Sequence, residues 1–366
     1  MMLDRSRPSA ESRVCREGLC RYDQIFSAID DRGPDLGNVS ALLNEDASSP
    51  LVWCAYAELL SADRQKPLAV SAFEHAVTLG PQMSPVLMRV ANFDFSEGRT
   101  DHALAMTNRI LRQTDAFDQE LFSYLSRSGI PVSKLAGVAV PPTLRAATSW
   151  FSWLRTRGSD ANLSELWSWM QQNQLLDQKT ATDFAWTFWQ RKEFATAQHS
   201  WAEWVNPLSH GNLPPSRLAN QRFREPPNGS PFDWTFIAAA GVDISRDDGL
   251  VIHFSGTDNI AFANVLQYTT VSGGRYRFSA EISGDGLTTD QGPFFHIFDP
   301  IHPAILNLEG SPFKGTISRS WIGLDIPASA DTRPLVIQIE RRPSQKFNNK
   351  INGTLHVYQV SLTPVR

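Results

Sequence analysis

The residues best suited to chemistry lie in the last third of the chain, where Arg275-Tyr276-Arg277-Phe278-Ser279-Ala280-Glu281-Ile282 alternates apolar and polar side chains. A strand with one buried face requires this period of two. With Tyr276, Phe278, Ala280 and Ile282 turned to a core, Arg277, Ser279 and Glu281 share the opposite face. Guanidinium and carboxylate groups on one surface can hydrogen-bond the hydroxyls of a polyol. Gln267 joins them if the strands flanking Ser272-Gly273-Gly274 pair as a hairpin. The same alternation also arises on any solvated outer face. Trp234 and Trp321 are the tryptophans of this region, each either a stacking platform for a pyranose ring or a core residue.

Two loops add charge. Gly284-Asp285-Gly286-Leu287-Thr288-Thr289-Asp290-Gln291-Gly292 offers two carboxylates that could hold calcium or sugar hydroxyls, or form a plain turn. Arg341-Arg342-Pro343-Ser344-Gln345-Lys346-Phe347-Asn348-Asn349-Lys350 gathers Lys346 and three other cations around one aromatic, a composition suited to an acidic polymer.

Catalytic spacings are missing. There is no His-Glu-x-x-His helix, no Gly-x-Ser-x-Gly elbow and no Gly-x-x-x-x-Gly-Lys loop. His296 and His302 flank Asp299, a poor metal-ligand spacing. Carboxylate pairs for glycoside cleavage could be drawn from Glu281, Asp285, Asp290 and Glu309, but their separation is not written in the sequence. The expectation is a chain with no catalytic residue, no metal and no cofactor.

Composition bounds the partners. The 366 residues carry 34 basic and 38 acidic side chains, a formal net charge of -4. Neither half is a basic body, so nucleic acid is not an expected partner. Three cysteines, Cys15, Cys20 and Cys54, cannot build a disulfide framework. No stretch approaches 18 uninterrupted apolar residues, and no apolar run follows Met1. Neither membrane insertion nor an export signal is expected from the sequence as read, and its localisation stays open.

The elements that position these residues fall into two kinds. Eight of the 11 tryptophans lie between Trp150 and Trp204. A shift of 34 residues lays Leu163 on Ala197, Trp167 on Trp201, and, upstream, Ala57, Ala69 and Ala76 on Ala91, Ala103 and Ile110. Such a period belongs to helix–turn–helix arrays. In the unit at 50–81, Trp53, Tyr56, Ala57 and Leu60 share one helical face, and Ala69, Phe73 and Ala76 face back from a second helix. Alanine permits close helix approach, and Trp53 and Phe73 are expected to fill the space between units. Tryptophans at the repeat positions read as packing residues, while Trp150, Trp153, Trp169 and Trp189 lie off those positions and could line a groove.

Residues 36–206 resemble the tetratricopeptide repeat family, specifically at 50–81 and in degenerate form after 143. The resemblance implies an α-solenoid that binds another protein. Beyond a Pro-, Asn- and Gly-rich segment the period changes to two, with strands expected at 250–255, 261–270, 275–282, 293–298, 335–341 and 353–362. Two stretches here, Phe262-Ala263-Asn264-Val265-Leu266-Gln267-Tyr268 and Val271-Ser272-Gly273-Gly274-Arg275-Tyr276-Arg277-Phe278-Ser279, are similar to β-sandwich carbohydrate-binding modules. So is the closing Ile351-Asn352-Gly353-Thr354-Leu355-His356-Val357-Tyr358-Gln359-Val360, although Tyr358 and Gln359 replace the acidic residues common there, which argues against a calcium site. The arrangement as a whole resembles bacterial repeat proteins linked with exopolysaccharide production.

The expected architecture is multidomain α and β: an N-terminal segment at 1–35, helical repeats at 36–206, a linker at 207–229, and an antiparallel β-sandwich of jelly-roll type at 230–366. The expected function is a non-catalytic adaptor, its repeats engaging a protein and its sandwich a polysaccharide. The expected sugar contacts are Gln267, Arg277, Glu281, Asp290, Trp321 and Lys346. A protein-only scaffold with a structural sandwich, or a glycan-active enzyme, are the competing readings.

Overall fold

A computed structural model describes residues 35–206, 208, 217–246 and 248–365. The N-terminal segment to residue 34, with Cys15 and Cys20, and most of 207–216 lie outside the described residues. The chain divides into two compact units, Met1–Leu166 and Trp167–Arg366.

The first unit is made of antiparallel helices. In chain order they are α1 (Leu36–Glu45), α2 (Pro50–Ala62), α3 (Lys66–Leu79), α4 (Ser84–Ser96), α5 (Thr100–Gln113), α6 (Asp118–Arg127), a single turn α7 (Val132–Leu135) and α8 (Leu144–Arg157). Proline in the first turn starts α2, α3 and α4, where no intrahelical N–H is lost. The chain reverses after α2 and α4 through Arg64 and Gly98, 34 residues apart in sequence and both in the left-handed region, at φ 63° and 73°. Ala57, Ala69, Ala76, Ala91, Ala103 and Ile110 are fully buried, as close helix approach demands. Phe73 meets Phe93 of the next hairpin, with ring centroids 4.7 Å apart. Trp53 is only half-buried. It packs on the small α1 cluster of Val39 and Leu43, meets His75 edge-on at 4.5 Å, and donates its indole N–H to Ala47 O at 2.8 Å. The prolines at 131, 141 and 142 mark the irregular stretch between α6 and α8, which a bridge between Ala136 and Val140 closes.

Helix α9 (Asp160–Gln172) runs across the division. The second unit holds α10 (Gln178–Gln190), α11 (Phe194–Val205) and the β-sandwich. Asp177 caps α10 by accepting from Thr180 N at 2.7 Å, and this bond, with the Thr180 hydroxyl, holds its carboxyl below the usual range. Trp167, Ala197 and Trp201 are buried here, as Leu163 is at the end of the first unit.

The strands are β1 (Thr235–Phe236), β2 (Val242–Ser245), β3 (Leu250–Ser255), β4 (Phe262–Val271), β5 (Arg275–Leu287), β6 (Phe294–Phe298), β7 (Asn307–Glu309), β8 (Gly315–Ile326), β9 (Arg333–Arg341) and β10 (Asn352–Val365). All pair antiparallel, in two five-stranded sheets ordered β1-β4-β9-β6-β7 and β2-β3-β10-β5-β8. The fold class is therefore tetratricopeptide-like helical repeats followed by an antiparallel β-sandwich. The alternation in β5 works as expected: Tyr276, Phe278, Ala280 and Ile282 enter the core between the sheets.

Two expectations fail. The strands on either side of Ser272-Gly273-Gly274 do not form a hairpin: β4 lies in one sheet and β5 in the other. Both glycines have positive φ, 61° and 72°, and the turn carries the chain across the sandwich. Residues 217–229, read as linker, are folded against it. Phe223 is buried 4.9 Å from Trp234, and Arg217 N donates to Leu362 O at 2.9 Å. Trp234 is thereby a core residue.

Candidate functional site: the open sheet face around Trp321

The two sheets present different outer faces. On the first, Tyr268 of β4 meets Trp186 and Trp189 of α10 at 5.8 and 5.1 Å between ring centroids. Gln198 of α11, itself buried, accepts from Thr270 N at 3.1 Å and from the Thr270 hydroxyl. Trp186 donates its indole N–H to Gly229 O at 2.8 Å. The helical pair and the sandwich thus share one packed interior within the second unit, which covers Tyr268 and Thr270 on this strand's outer face.

Gln267 sits on β4 but does not reach the polar face of β5. Its side chain is fully buried, and its Nε2 donates to Phe232 O at 3.0 Å and Ala219 O at 3.3 Å. It ties the folded-back 217–223 segment to the strand. The expected partnership with Arg277 and Glu281 fails because β4 and β5 belong to different sheets.

The second sheet keeps an open face. Trp321 of β8, 56 % exposed, stands opposite Glu281 of β5. Gln359 of β10 stands on the other side of Glu281, so the three form one row across the sheet. Glu281 accepts two bonds from Arg319, at 2.8 and 3.0 Å. This bidentate pair draws the Glu281 carboxyl below the usual range and raises Arg319 further. The Arg319 guanidinium lies 3.9 Å from the Tyr358 ring centroid, and the Tyr358 hydroxyl bonds Ser283 Oγ at 3.0 Å. An irregularity between Val357 and Gln359 places Tyr358 on this face. Further along, Arg277 pairs with Asp325 at 2.8 Å and lies over Gly323, where a Cβ would come within 2.7 Å of the guanidinium. A larger residue at 323 would displace the guanidinium from this position.

Trp321 is therefore an exposed indole with a neutralised arginine–carboxylate pair on each side along β8. Sequence reading placed Arg277, Glu281 and Trp321 among the contacts but missed Arg319, Tyr358, Gly323, Asp325 and Gln359. The alternation Arg319-x-Trp321-x-Gly323-x-Asp325 was the available signal.

The loop residues stand elsewhere and in other states. Asp290 accepts from Ser344 Oγ at 2.5 Å and lies 3.5 Å from Lys346 Nζ, which together hold its carboxyl low. Asp290 and Lys346 are thus brought together, but as an ion pair with each other. Of the four cations read as a patch, Arg342 and Lys346 are paired with carboxylates and Arg341 is buried, which leaves Lys350 exposed. Arg341 is buried and donates to Gln291 O, Ile260 O, Asn259 Oδ1 and Asn349 O. Arg342 pairs with Glu309 at 2.6 Å and Glu340 at 2.9 Å. Phe347 is left fully exposed.

His296 binds Glu340 and Asn307, whereas Asp299 caps the turn by accepting from Ile301 N and His302 N at 2.8 and 2.9 Å. His296 is bound away from Asp299, His302 meets it only through its backbone N–H, and among the described residues no group of three His, Cys, Asp or Glu side chains could hold a metal ion. No described helix is long and apolar enough to cross a membrane.

No family model matches the chain, and no curated protein matches it. Among solved structures, a tetratricopeptide protein, YrrB, described as having an unusual peptide-binding site, is 14% identical, covering 46% of this chain and 92% of its own, with a TM-score of 0.25. A CBM4 structure is 15% identical over 40% of this chain and 99% of its own, with a TM-score of 0.28. TmCBM61, solved with β-1,4-galactotriose, is 11% identical over 41% of this chain and 99% of its own, with a TM-score of 0.26. Each likeness covers one part of the chain at a low score, and the functional reading rests on the residues themselves.

Proposed function

We propose that the protein is a non-catalytic adaptor whose open sheet face binds an uncharged polysaccharide and whose helical repeats engage a protein. The observation that carries the sugar reading is the exposure of Trp321 between two arginine–carboxylate pairs. An indole face covers the apolar face of a pyranose, and planar donors and acceptors beside it meet the hydroxyls at its rim. Because Arg277 and Arg319 are each already paired with a carboxylate, a charged polymer gains little there. Of the four carboxylates from which a catalytic pair could be drawn, Glu281 and Glu309 each hold an arginine and Asp290 holds Lys346, with Glu281 and Glu309 on strands of different sheets. Assembly or export of an exopolysaccharide is the process in which such an adaptor would act.

The test is affinity electrophoresis of the full chain through gels containing neutral β-glucan, xylan or galactan, and through gels containing a polyuronate. Neutral polymer should retard the wild type, and Trp321→Ala should abolish the retardation without changing the melting temperature. Retardation by polyuronate alone would refute the uncharged ligand. A wild type retarded by none of them would leave the protein-only scaffold, a reading that the packing of β4 on α10 and α11 supports.

A further inference from the structure

A cleft of about 310 Å³ opens between α6 and α8 in the first unit. Two arginines line it, and each is backed by an aromatic ring. Arg127 lies 5.1 Å from the Tyr124 ring centroid, and Arg157 lies 5.4 Å from that of Trp153. Stacking on a ring fixes a guanidinium without consuming its N–H donors. Neighbouring groups take few of those donors. Among the described residues Arg127 bonds only Ser123, at 3.2 Å through both Nε and Nη2, and Arg157 reaches Gln119 Oε1 at 3.5 Å.

Other cations of the same unit divide: Arg64, Arg109, Arg112 and Lys134 have no carboxylate within ion-pair distance among the described residues and do not line the cleft, whereas four are paired. Lys66 has Glu97, Arg89 has Glu58, Arg99 has Asp94 and Glu74, and Arg145 has Asp118. Arg127 and Arg157 have no carboxylate within ion-pair distance among the described residues, although Glu120 also lines the cleft. Two ring-backed guanidiniums that line one open cleft offer charged N–H donors that a carboxylate can accept. Trp153, off the repeat positions and buried to its edge, supplies the apolar floor.

We propose that this cleft takes an acidic side chain, Asp or Glu, of a linear peptide segment in the protein partner, with Arg127 and Arg157 as the carboxylate-binding residues. The inference specifies the partner chemistry of the repeats and is independent of the sugar site.

The full chain is to be probed on an array of short peptides that differ in Asp and Glu content, each present as the free acid and as the C-terminal amide. Bound peptides should be enriched in internal acidic residues, whether or not the terminus is amidated. Arg127→Gln with Arg157→Gln should weaken their binding by about tenfold or more in fluorescence anisotropy. Glu120→Gln should strengthen it, a gain that loss of folding cannot produce. Three results would each overturn the proposal: no acidic enrichment, equal binding by the double variant, or binding that amidation abolishes.

Discussion

Gln267→Ala separates a structural role from a binding role at the one residue that the sequence assigned to the wrong face. The side chain is fully buried and donates to two backbone carbonyls, Phe232 O at 3.0 Å and Ala219 O at 3.3 Å. Its Oε1 has no hydrogen-bond partner among the described residues, so truncation loses none of their bonds on the acceptor side. What is left behind is two carbonyls without this donor, the one at Phe232 buried, a loss worth about 1–3 kcal/mol. For a unit of this size each kcal/mol moves the midpoint by about 2–4 °C, so the expected decrease is about 2–12 °C. Differential scanning calorimetry with near-UV circular dichroism measures it directly. In the same protein, retardation by neutral polysaccharide below the transition should match wild type, since the open face belongs to the other sheet. An unchanged melting temperature together with weakened retardation would refute this assignment of Gln267 and restore it to the sugar site.

Trp201→Ala and Trp167→Ala should each cost about 3–5 kcal/mol, as truncation of a buried aromatic does, read from urea denaturation; wild-type midpoints would contradict the packing role of the second pair of repeat units. Glu281 has its pKa lowered from 4.5 by Arg319, so the pair is intact above about pH 4.5 and is lost as pH falls through the lowered value. Polysaccharide retardation should therefore be flat from neutral pH down to that point and weaken only below it, and a decline near pH 6 would implicate another group. Burial pushes the Cys54 thiol up to about 12, so iodoacetamide at pH 8 should label Cys54 only when the chain is unfolded, as peptide mapping by mass spectrometry would show.

Local period determined much of this protein from sequence alone. Alanines at a spacing of 34 imply helices in close contact, and all five of Ala57, Ala69, Ala76, Ala91 and Ala103 are fully buried. Alternation in 275–282 fixes which side chains of one strand share a face, because Cβ direction along a strand is a property of the backbone itself. That is why Arg277 and Glu281 were placed on one face correctly, whereas Trp321 entered only as one of two tryptophans in the region. Period says nothing about which strands are neighbours. Whether Ser272-Gly273-Gly274 closes a hairpin or crosses between sheets depends on the core that each strand completes, and tertiary packing decided it, burying Gln267. The same holds for Arg319, 38 residues from the Glu281 it binds, and for Tyr358, turned outward by an irregularity in β10. Charge was equally out of reach. Four cations between 341 and 350 read as a basic patch, yet Arg341 is enclosed by carbonyls while Arg342 and Lys346 meet Glu309, Glu340 and Asp290. A sequence counts charges, and only the folded chain pairs them, because ion pairs join residues that pairing of distant strands brings within a few ångströms.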